Sequence, residues 1–277
     1  SQMLADFSSL TNLPFLRIAI LIVASYGLLC LFAAYFSNGM IFPKPPPSYD
    51  KEEADLYLQT ASGESIACIH LKNEQAENPV TILFSHGNGE DIGHCREYLE
   101  SLQDLGFSVL AYDYPGYGRS SGKPTEKGCH QSADAAYAYL LEQAKVKPEH
   151  IVVMGRSLGG GPSCELAANK KVGGLILETP FLTAFRVMTE LPLLPWDKFR
   201  NISNADKISC PSLVIHGDMD QVVSFRHGKK LFEALPEPKS FLKIPNGEHN
   251  NVAAVGGNEY WESIKTFCQS LTKEDKP

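Results

Sequence analysis

The chain has 277 residues, of which 43% are hydrophobic and 21% charged, a balance typical of a folded globular protein and unlike that of disordered or collagen-like chains. Its 25 basic residues against 32 acidic ones give a net charge of −7, which disfavours a nucleic-acid partner, because such proteins need a positively charged surface. The seven cysteines are scattered without a Cys-x-x-Cys pair, so we expect free thiols and no metal site.

The first forty residues contain an uncharged apolar run from residue 18 to 36, directly after Arg17. Its length is close to the roughly 20 apolar residues that cross a bilayer, so we expect residues 1–40 to form a tail and a single-pass N-terminal membrane anchor. A cleaved signal peptide is the alternative, although its apolar region is usually about 7 to 15 residues long. Lipid attachment at Cys30 is disfavoured because Leu29, which is not small, precedes it. The flanking Lys and Arg residues favour neither orientation clearly, so the side of the membrane that carries the domain stays open.

A proline-rich stretch at residues 41–50 follows the anchor and includes Pro43 and Pro45–Pro47. Proline lacks a backbone donor and has a fixed φ, so this stretch predicts an extended linker. Residues 51–277 show no internal repeat and no low-complexity run, and we expect them to form one folded domain.

The domain begins with two alternating runs, at 55–60 and 65–70, around Ser62-Gly63-Glu64, which predict an antiparallel hairpin. Beyond it, short apolar runs alternate with segments of helical periodicity. This alternation predicts an α/β fold with a mostly parallel, doubly wound sheet, because each parallel crossover needs a helix-length connection. The predicted strands are 80–85, 107–112, 150–155, 174–178, 212–216 and 240–244, and the predicted helices are 95–105, 129–144, 158–169, 225–235 and 260–271.

The clearest local motif, Gly-Arg-Ser-Leu-Gly at 155–159, joins a predicted buried strand to a predicted helix. Side chains at Gly155 and Gly159 would collide with neighbouring backbone in the sharp turn that exposes a nucleophilic Ser157. The pattern is short enough to occur by chance, and a glycine-rich helix start with an N-capping serine is the plain alternative. A catalytic interpretation therefore needs an acid and a base elsewhere in the chain.

Candidate acid and base residues follow at the ends of the last two predicted strands, where Asp220 and His249 lie. A serine hydroxyl is inert until a histidine held by an acid takes its proton, and the chain order Ser, Asp, His is one of the known triad orders. Asp218 is the alternative acid, but it lies nearer its strand and is expected to cap the loop. His227 falls within a predicted helix and is expected to pack there.

Acyl transfer also needs backbone N–H donors directed at the developing oxyanion. The loop Ser-His-Gly-Asn-Gly at 85–89 follows a predicted strand, and we assign one donor to Asn88, with Gly89 as the neighbouring alternative. The second donor is Leu158, directly after the serine. His86 is expected to brace the loop.

Five segments together resemble the α/β-hydrolase superfamily. The likeness covers nearly all of residues 54–271 and is greatest for small membrane-associated serine hydrolases, a group that includes protein depalmitoylases. It implies an α/β-hydrolase catalytic domain at 51–277. Those depalmitoylases carry an N-terminal cysteine cluster for lipid attachment, where this chain has an apolar run. The segments are Ser-His-Gly-Asn-Gly at 85–89, Tyr-Asp-Tyr-Pro-Gly-Tyr-Gly-Arg-Ser at 112–120, Gly-Arg-Ser-Leu-Gly at 155–159, His-Gly-Asp-Met-Asp at 216–220 and Gly-Glu-His-Asn at 247–250.

The connection at 179–211 is the place where this fold usually carries a lid, and here it predicts a short apolar cap. We expect half of its apolar side chains to pack on the domain. The remainder are expected to line an acyl-chain groove or to contact lipid. The candidate substrate-binding residues are Phe181, Leu182, Phe185, Met188, Leu191 and Trp196.

Together these features predict a membrane-anchored serine hydrolase of acyl esters or thioesters that needs no metal or organic cofactor. Its expected partners are the bilayer, through residues 18–36, and an acylated small molecule, lipid or protein. A serine peptidase of the same fold is one alternative, although no charged subsite for a peptide terminus is recognisable. A non-catalytic binding protein is another, and the complete Ser, Asp and His set disfavours it.

Overall fold

The computed structural model describes residues 14–73 and 79–272, and the chain divides into two compact units, Ser1–Ile41 and Phe42–Pro277. The described part of the first unit is one helix, α1 (Pro14–Ile41). Its 28 residues are long and apolar enough to cross a membrane, and its side chains are almost all exposed. The predicted span 18–36 lies inside this helix. Residues 1–13 of the predicted tail lie outside the described residues.

The second unit is built on an eight-stranded sheet of order β1-β2-β4-β3-β5-β6-β7-β8. β1 and β2 form the predicted hairpin, β2 also pairs antiparallel with β4, and all other neighbours are parallel. The predicted fold class is confirmed. The strands are β1 (Leu56–Gln59), β2 (Ser65–Leu71), β3 (Thr81–Ser85), β4 (Ser108–Tyr112), β5 (Ile151–Arg156), β6 (Gly174–Glu178), β7 (Ser212–Gly217) and β8 (Lys239–Ile244).

Helices connect the parallel strands and cover the sheet. The central strands β3 and β6 are buried along their whole length. Because both of their faces are covered, their sequences are continuous apolar runs in which apolar and polar residues do not alternate. The helices are α2 (Arg96–Asp104), α3 (Glu126–Glu142), α4 (Gly160–Asn169), α7 (Phe225–Ala234) and α8 (Val252–Ser270), with short α5 (Arg186–Thr189) and α6 (Asn201–Asn204) in the β6–β7 connection.

Two helices begin earlier than predicted. α3 starts at Glu126 because the Thr125 side chain caps it and accepts the Gly128 N–H at 3.0 Å. α8 starts at Val252 and not at residue 260, and it contains a kink at Gly257, where φ is +50°. Glycine is a poor helix former, so the glycine-containing first turns of α8 carry little helical signal in the sequence.

Residues 42–50, predicted as a linker, belong to the same compact unit as the sheet. Tyr49 is buried in the core, and its hydroxyl donates to a carboxylate oxygen of Asp113. Phe42 is also buried and meets Phe199 edge to face, with ring centroids 6.1 Å apart. The prolines favour extended backbone here, while the aromatic side chains on either side of them pack against the domain.

Candidate active site

The turn at the end of β5 holds Ser157 in a strained conformation, with φ at +49°. A Cβ on Gly155 would lie 2.3 Å from the Gly159 carbonyl oxygen, and a Cβ on Gly159 would lie 2.0 Å from the Ser85 carbonyl oxygen. Neither position has room for a side chain. The glycines therefore allow the strand, the turn and the helix to approach closely, which is the steric reason for the motif.

The structure brings the predicted nucleophile, base and acid into one hydrogen-bonded chain. His249 Nε2 lies 2.9 Å from Ser157 Oγ, and His249 Nδ1 lies 2.7 Å from Asp220 Oδ2. Both the histidine and the aspartate are buried. Because Nδ1 donates to the carboxylate, Nε2 is the nitrogen left to accept the serine proton. This arrangement is able to activate the hydroxyl.

The loops that carry Asp220 and His249 are bonded to each other. The Met219 N–H donates to the Gly247 carbonyl at 2.9 Å, and the Asn246 N–H donates to Asp218 Oδ1 at 2.7 Å. The alternative acid, Asp218, thus braces the histidine loop, and its other carboxylate oxygen pairs with the Lys243 ammonium at 3.1 Å.

Asp220 is surrounded by donors. Its Oδ1 accepts the N–H groups of Val222 and Val223, at 2.9 and 2.8 Å, and its Oδ2 lies 3.2 Å from His216 Nε2 as well as near His249. Burial alone would raise the pKa of Asp220, but the hydrogen bonds from His216 and His249 hold that pKa far below its ordinary value. The acid is therefore ionised at neutral pH.

The loop after β3 packs against the serine turn. A Cβ on Gly159 would also approach the His86 carbonyl oxygen to 2.8 Å, so this loop and the turn are neighbours. The Tyr114 hydroxyl donates to the His86 carbonyl at 2.6 Å, and the Tyr117 hydroxyl donates to the Asn88 carbonyl at 3.0 Å. These bonds fix the loop that carries the predicted oxyanion donor.

The two predicted oxyanion donors occupy different environments. Asn88 lies in an exposed turn, whereas Leu158 is buried directly after Ser157. His86 is fully buried, with Nε2 3.3 Å from Asp113 Oδ1. Its Nδ1 lies 2.7 Å from the Gly87 carbonyl oxygen of the same loop, and the bracing role of His86 stays a prediction.

A buried ionic cluster that the sequence analysis missed lies beside the turn. Arg156 Nε donates to Glu178 Oε1 at 2.8 Å, its guanidinium also approaches Glu90 at 3.5 Å, and it stacks over the Tyr98 ring at 4.0 Å. Burial alone would raise the pKa of Glu90, but Arg156 lowers it. Glu90 Oε1 in turn accepts the Gly87 N–H at 2.8 Å. The cluster therefore ties the serine turn to the loop of Asn88.

The candidate substrate-binding residues divide into two groups. Phe181 and Leu182 are buried, and Phe185 is partly buried. The other three are open to solvent, with 73% of Met188, 60% of Leu191 and 37% of Trp196 exposed. Part of the β6–β7 connection therefore packs on the domain, and part presents apolar side chains to solvent.

The sheet order, the strained serine turn and the parallel strands that end at it are those of an α/β hydrolase, and a family model of the alpha/beta hydrolase fold matches residues 80–203. The chain belongs to the α/β-hydrolase family. Among its relatives, it is similar to alpha/beta hydrolase domain-containing protein 17B of Homo sapiens, 35% identical over an alignment of 224 residues, with 79% of this chain and 77% of that protein covered. It is also similar to alpha/beta hydrolase domain-containing protein aho-3 of Caenorhabditis elegans, 36% identical over 83% of this chain and 71% of that protein.

Solved structures of esterases share the fold. Esterase Pf2001 of Pyrococcus furiosus superimposes with a TM-score of 0.69 at 18% identity, covering 83% of this chain and 98% of that one. Est1E of Butyrivibrio proteoclasticus gives a TM-score of 0.65 at 21% identity, covering 78% and 98% of the two chains. At these identities the likeness establishes the architecture of the domain.

Proposed function

We propose that this α/β hydrolase is a membrane-anchored serine hydrolase that cleaves acyl esters or thioesters through an acyl-enzyme. The observation that carries the proposal is the hydrogen-bonded chain from Ser157 through His249 to Asp220, on a turn whose strain lifts the hydroxyl out of the sheet. A structural serine has no need of positive φ or of a buried histidine and carboxylate behind it.

In the proposed reaction His249 Nε2 takes the Ser157 proton as Oγ attacks the acyl carbon. The negative charge that develops on the carbonyl oxygen is held by the backbone N–H groups of Asn88 and Leu158. The tetrahedral intermediate collapses to the acyl-enzyme, and His249 returns its proton to the departing alcohol or thiol. A water molecule then loses a proton to His249 and attacks the acyl carbon. As the second tetrahedral intermediate collapses, His249 gives that proton to Ser157 Oγ, which releases the carboxylic acid and restores the free serine.

Asp220 keeps its negative charge through this cycle. It holds His249 in the tautomer that presents Nε2 to the serine, and it stabilises the imidazolium that forms when the proton moves. The low pKa of Asp220 supports this role, since a protonated acid would lose the charge that stabilises the imidazolium.

The exposed apolar side chains of the β6–β7 connection support a substrate that carries an acyl chain on a small molecule, a lipid or a protein. Met188, Leu191 and Trp196 expose apolar side chains on the β6–β7 connection, where Phe185 is partly buried and Phe181 and Leu182 are buried. An exposed apolar patch usually marks a binding surface. The α1 helix supports a bilayer setting in which such substrates are concentrated.

The serine assignment is tested by fluorophosphonate labelling and by turnover of p-nitrophenyl esters and acyl thioesters of increasing chain length. We expect wild type to be labelled and active, Ser157→Ala to be inert, and Ser203→Ala, a change at an exposed serine, to behave as wild type. Equal labelling of wild type and Ser157→Ala would instead favour the non-catalytic binding protein.

Two further measurements test the finer parts of the proposal. Aminoacyl anilides turned over faster than the esters would favour the peptidase alternative. Full-length protein in native membranes is expected to stay in the pellet after alkaline carbonate extraction, because α1 would be held by the hydrocarbon core. Release into the supernatant would contradict the anchor.

A further inference from the structure

We propose that His216 is a positioning residue of the triad, a second imidazole that fixes the carboxylate of Asp220 for His249. The inference rests on the proposed function and extends it. His216 opens the segment His-Gly-Asp-Met-Asp that carries the acid, but its place in that segment alone predicts no role for it.

The contacts of His216 show which of its ring nitrogens donates. It lies at the end of β7, fully buried, with Nε2 2.9 Å from the Val223 carbonyl oxygen and 3.2 Å from Asp220 Oδ2. Both partners are acceptors, so Nε2 carries the proton. Among the described residues Nδ1 has no hydrogen-bond partner, and a Cβ on Gly228 would come within 2.2 Å of it. Nε2 is therefore the ring nitrogen of His216 that donates.

This donor completes the set around the carboxylate. The backbone holds Asp220 Oδ1 through the N–H groups of Val222 and Val223. Oδ2 accepts from His249 at 2.7 Å and lies 3.2 Å from His216 Nε2, which also donates to the Val223 carbonyl at 2.9 Å. With donors on both oxygens, the carboxylate cannot turn without breaking a bond. Its plane then sets the direction from which His249 Nδ1 donates, and thereby the aim of Nε2 at the serine.

His216 also moderates the charge that His249 meets. A donor on Oδ2 draws electron density from the oxygen that pairs with His249, so its removal would leave a stronger acceptor for the imidazolium. The titratable groups that face His216 are Asp220 on its own loop, His249 from the loop after β8, and His227 from α7. The edge of the Phe225 ring, 5.7 Å away between centroids, closes the remaining side.

The test compares two substitutions at one position. His216→Leu puts an apolar side chain of similar bulk in place of the ring and removes the donor. His216→Gln can place an amide N–H where Nε2 lies. We expect His216→Leu to lower kcat by about tenfold, the scale of one charge-assisted hydrogen bond lost in part, with KM unchanged. The acid limb of its kcat/KM profile, which reports protonation of the base, moves to higher pH. His216→Gln is expected to recover most of kcat and the wild-type limb.

Equal kcat and equal pH profiles for His216→Leu and His216→Gln would overturn the inference, because a merely structural histidine would not distinguish an amide donor from a methyl group. Ser157→Ala is measured beside them. If Ser157→Ala is inactive while His216→Leu matches wild type, the positioning role is wrong and the proposed function stands. If Ser157→Ala keeps wild-type turnover, the proposed function and the inference both fail.

Two measurements do not depend on the stability of the His216 variants. Gly228→Ala displaces the ring from outside, since the new methyl group would overlap Nδ1, and is expected to move the acid limb in the same direction as His216→Leu. An unmoved limb in a folded Gly228→Ala protein would count against the inference. Nitrogen-15 NMR of histidine-labelled wild type is expected to show a proton on Nε2 of His216, and a ring protonated on Nδ1 alone would refute the inference.

Discussion

Replacing Gly159 by alanine tests whether the close approach of the serine turn to the loop of Asn88 is needed for activity. The added Cβ would lie 2.0 Å from the Ser85 carbonyl oxygen and 2.8 Å from that of His86. Ordinary contacts between carbon and oxygen are close to the 3.5 Å scale of van der Waals separation, so the loop or the turn must shift by roughly 1 Å or more.

A displacement of that size separates the Ser157 hydroxyl from the proposed oxyanion donors. Misplacement of reacting groups by about 1 Å can cost on the order of 100-fold in rate, and loss of one oxyanion donor costs about 3 kcal/mol. We therefore expect Gly159→Ala to lower kcat by about 100-fold to 1000-fold.

The assay is hydrolysis of a p-nitrophenyl ester, with thermal unfolding by circular dichroism to confirm that the variant is folded. Gly160→Ala is the matched control, because a Cβ there meets its nearest atoms, in Leu177, Asn201 and Pro180, at 3.7 to 3.9 Å, which is ordinary contact. Gly160→Ala should keep most of the wild-type activity. If folded Gly159→Ala is as active as Gly160→Ala, the steric reasoning about the turn is refuted.

Two further predictions concern the acid and the stability of the fold. Asp220→Asn is expected to lower kcat by about 1000-fold or more. Asp218→Asn loses the charge that pairs with Lys243 but keeps an oxygen to accept the Asn246 N–H, so it is expected to lower kcat far less; the reverse ranking in ester hydrolysis would assign the acid to Asp218. Burial, helped by the Lys72 charge, lowers the pKa of His70 to about 4 from 6.5, so the neutral ring stabilises the fold above about pH 6.5 and this contribution is lost as the pH falls towards 4. Urea unfolding should therefore show wild type losing about 1 kcal/mol more than His70→Gln over that interval, after allowance for solvent screening, and parallel losses would contradict the shifted pKa.

The sheet could be predicted from the sequence because its signals are local. Continuous apolar runs in β3 and β6 reflect strands buried on both faces, and the hairpin carries its own turn at Gly63. The catalytic triad candidates Ser157, Asp220 and His249 could also be predicted, because each follows a predicted strand and parallel strands end at the same edge of the sheet. The fold places the side chain of His249 within hydrogen-bond distance of the other two.

The supporting residues could not be predicted in this way. Arg156 at the end of β5 meets Glu178 at the end of β6 and Glu90 in the loop after β3, and no local spacing identifies ion pairs between residues so far apart in the sequence. His216 was visible within a motif, but its role depends on a ring rotated towards Asp220. The packing of residues 42–50 could not be predicted either, because proline content indicates the backbone conformation and not what Phe42 and Tyr49 contact.

Trapping the acyl-enzyme would show directly whether Ser157 carries the acyl group during turnover. Wild type is mixed with an acyl thioester, quenched in acid within the first turnover and digested, and the acylated peptide is located by mass spectrometry. We expect a transient ester on Ser157 in wild type and in the Ser203→Ala control, and no such ester in Ser157→Ala. Turnover with the acyl group on another side chain, or turnover that persists in Ser157→Ala, would contradict it.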